Sequence, residues 1–117
     1  MITERQISEI LAQYKKHGWN LRRVLLSAET SENLSASLSL FGQAEIVASE
    51  LNAAWFSRPS NEGREAWELR YLSATPFALV EVFEKDDEEE VREEICREME
   101  TRLIEQASKI GSRRSLD

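Results

Sequence analysis

Apolar and polar positions alternate most clearly between Leu51 and Glu84, and the remaining elements are read outward from there. Residues Arg64 to Leu72 (R-E-A-W-E-L-R-Y-L) alternate with a period of two, the pattern of a half-buried strand. Phe77 to Phe83 (F-A-L-V-E-V-F) is almost continuously apolar, which predicts a central strand covered on both faces. Asn52 to Arg58 forms a third strand ahead of them. The turns between them fall at Pro59-Ser60-Asn61-Glu62-Gly63 and Ser73-Ala74-Thr75-Pro76, where proline fixes φ, glycine permits positive φ, and serine and asparagine bond their own backbone.

A hairpin folded about Asn61 sets Trp55 opposite Trp67. A second fold around Ala74 and Thr75 brings Val82, Val80 and Ala78 beside Trp67, Leu69 and Tyr71. One predicted face then carries Trp55, Trp67, Leu69, Tyr71, Val80 and Val82 and reads as core. The other mixes Phe56, Leu72, Phe77, Leu79 and Phe83 with Arg58, Glu68, Arg70 and Glu81. A slip of one residue would exchange the two faces of a strand.

Helical spacing dominates the two ends of the chain. Thr3-Glu4-Arg5-Gln6 fits a capping box, with Ile2 and Ile7 as a hydrophobic staple. Ile7, Ile10, Leu11 and Tyr14 form one stripe, and Gly18 stops the helix. Trp19 to Ser27 reads as a strand with Leu21 and Leu25 on one side and Val24 and Leu26 on the other. Ala28 to Gly42 fits either period; the lack of β-branched residues after Leu34, with Thr30 as cap and Gly42 as stop, favours a short helix. Whether residues 31–41 are helix or strand stays open. Gln43 to Leu51 reads as a short strand. A long helix is expected from about Asp87 to Lys109, with Val91, Ile95, Met99, Leu103 and Ala107 as its stripe and Cys96 and Ile104 beside it. The sum is a single α+β domain over residues 1–110 with a frayed tail at 111–117. It has two layers, the order α-β-α-β-β-β-β-α, and a mostly antiparallel sheet with a C-terminal three-stranded meander. The first and last helices are expected on the Trp55/Trp67 face.

Composition narrows the function classes. The chain has 117 residues and a net charge of −7, of which −5 falls in residues 86–117. Such acidity argues against nonspecific nucleic-acid binding and against docking on anionic membranes. A single cysteine, Cys96, excludes an intramolecular disulfide and fits a reducing compartment. With no apolar leader at Met1 to Arg5 and no run of eighteen apolar residues, a cytoplasmic protein is expected.

Candidate chemistry is sparse. The run Asp86 to Glu94 lacks the alternating ligands and central glycine of a calcium loop and suits a helix start. His17, the one imidazole, follows two lysines that disfavour the imidazolium a catalytic base must form. Cys96 reads as a small buried side chain among carboxylates. Lys15, Lys16, Arg22 and Arg23 form a local basic patch that reads as a solubility feature. No catalytic residue, metal or cofactor is expected.

The surface singled out is the mixed sheet face: Phe56, Arg58, Glu68, Arg70, Phe77, Leu79 and Glu81. A second copy of the chain is the simplest cover for it, so a homodimeric binding or adaptor module is expected, open to a protein partner. The alternative is a pocket in which Arg58 and Arg70 hold an anionic ligand and Glu68 and Glu81 supply paired carboxylates. In size, acidity and α/β composition the chain resembles the small acidic chaperones of bacterial secretion systems, with a different helix order and no shared motif. That resemblance implies a surface that holds a protein partner.

Overall fold

The computed structural model describes residues 2–73 and 75–116, with side chains through 109. Helix α1, Glu4–Lys16, opens at the expected capping box: the Gln6 amide donates to Thr3 Oγ1 at 3.2 Å and the Thr3 amide to Gln6 Oε1 at 2.9 Å. Each bond satisfies an amide that the first turn of a helix leaves without a partner. Gly18, at φ 83°, then turns the chain into β1, Asn20–Leu26.

Helix α2, Ala28–Asn33, follows at once, so the ambiguous segment begins as helix. Its cap is Ser27 rather than Thr30: Ser27 Oγ accepts the Thr30 amide at 3.3 Å, and Thr30 itself is buried. A 3-10 turn at Leu38–Phe41 ends at Gly42, whose φ is 58°. Strand β2, Glu45–Ala48, lies parallel to β1, a pairing that needs the long crossover that α2 and the 3-10 turn supply. The meander follows as β3 (Ala53–Pro59), β4 (Arg64–Tyr71) and β5 (Ala78–Glu84), and helix α3 spans Glu89–Leu116. The sheet order is β2-β1-β3-β4-β5, and every pairing except β1 with β2 is antiparallel. The α+β class and the order of elements are those expected. The tail expected to fray at 111–117 lies outside the residues whose side chains are described, as does Ala74 in the second turn.

Register decides which side chains meet, and here the structure corrects the sequence reading. The first hairpin centres on Glu62, not Asn61, pairing Trp55 with Leu69 and Ser57 with Trp67. A shift of two positions keeps every side chain on its expected face. The second hairpin moves by one: Tyr71 N donates to Phe77 O at 2.9 Å, and Trp67 pairs with Glu81, Leu69 with Leu79. An odd shift exchanges the faces of β5. Phe77, Leu79, Glu81 and Phe83 therefore share the Trp67 face, while Ala78, Val80 and Val82 lie on the other.

A bulge between Leu21 and Arg23 makes a second correction. The extra residue puts Leu21 on the side of Val24 and Leu26 rather than with Leu25, and leaves both Arg22 and Arg23 on the Trp55 side.

The helices divide between the faces instead of gathering on one. Helix α3 covers Trp55, Trp67, Leu69 and Phe83 with Cys96, Met99 and Leu103. Helices α1 and α2 and the 3-10 turn cover Val24, Leu26, Phe56 and Leu72 with Ile7, Leu34 and Phe41. The stripe of α3 also differs from expectation, since Val91 is exposed and Cys96 sits at its centre. Each step of four residues overshoots a full turn by about 40°, so a line from Val91 to Ala107 winds off any flat face. Cys96, Met99 and Leu103, spaced by three and four, stay on it. Arg92 takes the place expected for Val91, its guanidinium 5.2 Å from the centre of the Trp67 ring.

Candidate functional site

The α1 face of the sheet is covered only in part, and the side chains of interest lie where the cover stops. Tyr14, in the last turn of α1, stacks on Phe56 with ring centres 4.0 Å apart and meets Trp19 edge-on at 6.0 Å. Its hydroxyl donates to Glu68 Oε2. Burial, followed by the bond to Glu68 and that carboxylate's charge, raises the pKa of the hydroxyl above the usual tyrosine value. Beside it the Arg58 guanidinium lies 4.4 Å from the Trp19 ring centre and donates from Nη1 to the His17 carbonyl at 3.0 Å. That bond satisfies a carbonyl just past the end of α1, where helix carbonyls lack partners.

Gln13, Tyr14, His17, Trp19, Arg58 and Glu68 together line an open recess of about 330 Å³. A second recess, about 320 Å³, continues along α1 past Gln13 to Ile10, Gln6, Arg70 and Ser73. Ala66, Glu68 and Arg70 on β4 lie opposite Val82, Val80 and Ala78 on β5, so the lining runs on into open sheet. Val80 is 53% and Val82 48% exposed.

The seven residues singled out from sequence are thus divided by the sheet. Phe56, Arg58, Glu68 and Arg70 lie on the α1 face, with Phe56 buried beneath Tyr14. Phe77 and Leu79 pack on the α3 core, and Glu81 lies beside Trp67 on that same side. The paired-carboxylate arrangement is therefore not formed: Glu68 and Glu81 point to opposite faces, and Tyr14 holds Glu68. Arg70, instead of reaching a carboxylate, donates to the neighbouring Tyr71 carbonyl.

The basic patch is also split. Arg23 bonds Glu93 at 3.0 Å and lies 3.7 Å from Glu45, while the Arg22 guanidinium sits 5.1 Å from the Trp67 ring centre. The bond from Arg23, partly opposed by burial, lowers the Glu93 pKa. Both core tryptophans find carboxylates for their indole N–H groups, Trp55 on Glu100 at 2.7 Å and Trp67 on Glu65 at 2.6 Å. The Cys96 thiol is pushed up to about 12, chiefly by burial and then by Glu93. Among the described residues, no cluster of three or more His, Cys, Asp or Glu is placed to hold a metal ion, and no helix is long and apolar enough to cross a membrane.

Gln13, Tyr14 and Trp19 were not singled out from the sequence. Tyr14 carried the one usable signal, a hydroxyl at the end of an apolar stripe that must find a partner when buried. Comparison with protein-family models, curated proteins and solved structures finds no match to the chain.

Proposed function

We propose that the protein is a non-catalytic binding or adaptor module of the cytoplasm, homodimeric, whose working surface is the uncovered half of the α1 face. The observation that carries this reading is the exposure of Val80 and Val82 together on a stretch of sheet that no helix covers. Adjacent β-branched residues on an open sheet favour contact with another surface. The arginines and Glu68 at its margin supply a polar rim of the kind that surrounds such contacts. The lone cysteine, buried in the α3 core, fits a reducing compartment.

Light scattering coupled to chromatography tests the reading. At micromolar concentration the wild-type chain is expected at twice its mass of 13.5 kDa. Val80→Lys, a surface change that leaves both cores intact, is expected at the monomer mass. A monomeric wild type would overturn the homodimer.

A second reading is favoured by one arrangement. Arg58 and Glu68 share the recess beside Tyr14 and Trp19, where a small anionic or zwitterionic ligand would meet one charge of each sign. Replacing Arg58 and Arg70 together separates the two. No effect on small-anion binding favours the module, and a folded protein that no longer binds a small anion favours the pocket.

A further inference from the structure

The sequence of β5 and its position in the sheet disagree, and the disagreement points to a partner. F-A-L-V-E-V-F has the near-continuous apolar character of a strand with neighbours on both sides, yet β5 is the last strand of the sheet. The bonds flanking the β4–β5 ladder, Tyr71 N to Phe77 O and Lys85 N to Gly63 O, fix its phase. In that phase Leu79, Glu81 and Phe83 bond β4, while Ala78, Val80 and Val82 turn their N–H and C=O groups outward. The edge closes only at its end, where the Glu84 amide donates to Asp87 Oδ2 at 3.0 Å. Proline, lysine or an inward charge would normally blunt such an edge, and residues 78–83 hold none of them there apart from Glu81 on the α3 side.

We infer that a second copy of the chain adds its own β5 antiparallel to this one, with Val80 on the two-fold axis, making one continuous sheet. This rests on the homodimer reading and specifies how the copies meet. The charges select the direction and the register. A parallel pairing would set the two acid-rich segments Asp86 to Glu90 side by side, whereas the antiparallel one holds them at opposite ends. Outward groups meet when Val80 faces Val80, Val82 or Ala78 of the second copy, and the last of these sets Val82 against Pro76, which has no N–H to donate. The second choice puts Glu81 directly against Glu81, a destabilising like-charge pair. The first sets Glu81 against Leu79, Ala78 against Val82, and Phe77 against Phe83, and avoids that clash.

Two variants test the geometry, each read against the wild-type mass by light scattering. Val82→Pro removes an outward N–H that β4 does not use, at an edge position where proline is tolerated. It is expected to keep the monomer's circular dichroism and to weaken association about tenfold or more, since the symmetric pair loses two donors. Val80→Cys places two thiols across the axis at a spacing a disulfide can span, about 5.5 Å between Cα atoms. Mild oxidation is expected to link it into a covalent dimer, while Glu81→Cys stays unlinked. Should Val82→Pro not fold, the cysteine pair decides alone. Linking of Glu81→Cys instead of Val80→Cys overturns the register. A wild-type dimer whose association Val82→Pro leaves unchanged, with no linking through Val80→Cys, overturns strand pairing and leaves the homodimer standing. A wild-type monomer overturns both.

Discussion

Tyr14 joins three parts of the molecule through one side chain: its ring closes over Phe56, its edge meets Trp19, and its hydroxyl holds Glu68. Tyr14→Phe keeps the stack and deletes only the donor, leaving a half-buried carboxylate without its partner. A hydrogen bond to a charged group contributes roughly 1.5–3 kcal/mol, and a loss in that range is expected in urea unfolding at neutral pH. Because the folded-state pKa is raised, this contribution is complete below the usual tyrosine value of about 10 and fades as pH climbs past it. An absorbance titration should show a tyrosine ionising late in the wild type and missing in the variant. Cys96 offers a second probe at this scale. Wholly buried, with its thiol held up to about 12, it is almost entirely protonated at pH 8. Labelling by a thiol reagent is expected to be slow and to follow the rate of unfolding. Complete reaction within the mixing time, on protein with native circular dichroism, would contradict its placement at the centre of the α3 contact.

Between elements, the bond from Arg23 to Glu93 ties β1 to α3 across the edge of the Trp55 core. The Glu93 pKa is lowered, so the bond's contribution is present above the unfolded carboxylate value of about 4.3 and is lost as pH falls through the folded one. The stability difference between wild type and Glu93→Gln is therefore expected to shrink as the pH drops from about 6 toward 3, and a constant gap would show that the pair contributes nothing. Arg23 reaches α3 by plain alternation with Leu25, but Arg22 joins it on that side only through the bulge, and this shows what the sequence could and could not convey. Caps, stripes and alternating runs are local, and Thr3 with Gln6, the stop at Gly18 and the three meander strands were all legible. Parity is not local. The face of β5 depends on whether the turn after Tyr71 spans an odd or even number of residues, which the Tyr71–Phe77 bond settles, and the face of Leu21 depends on one extra residue in β1. The candidate site inherited the first of these: Arg58, Glu68 and Arg70 share one face as expected, and Phe77, Leu79 and Glu81 lie on the opposite one. Tyr14 was legible as core, but its bond to Glu68, fifty-four residues away, was not.

At the scale of the whole molecule, the homodimer would bring together two chains that each carry a net charge of −7. The contact is main chain with valine and alanine on the α1 side and Phe77, Leu79, Glu81 and Phe83 on the α3 side, with no ion pair across the axis in the register that keeps Glu81 from Glu81. Electrostatics would then act on association mainly as long-range repulsion, which antiparallel pairing reduces by separating the acidic starts of α3 but does not abolish. Repulsion of this kind is screened by salt. The screening length falls from about 30 Å at 0.01 M ionic strength to about 8 Å at 0.15 M, less than the separation of the two ends of a seven-residue strand. Association is therefore expected to tighten as salt rises over that range, in sedimentation equilibrium at pH 7. An interface built on the arginines of the α1 face, with Arg58 and Arg70 reaching carboxylates of the second copy, would behave in the opposite way and loosen. The sign of the salt dependence thus separates a sheet extended through its edge from two sheets met face to face through their charged margins. It does so without a single substitution, on the chain as it stands.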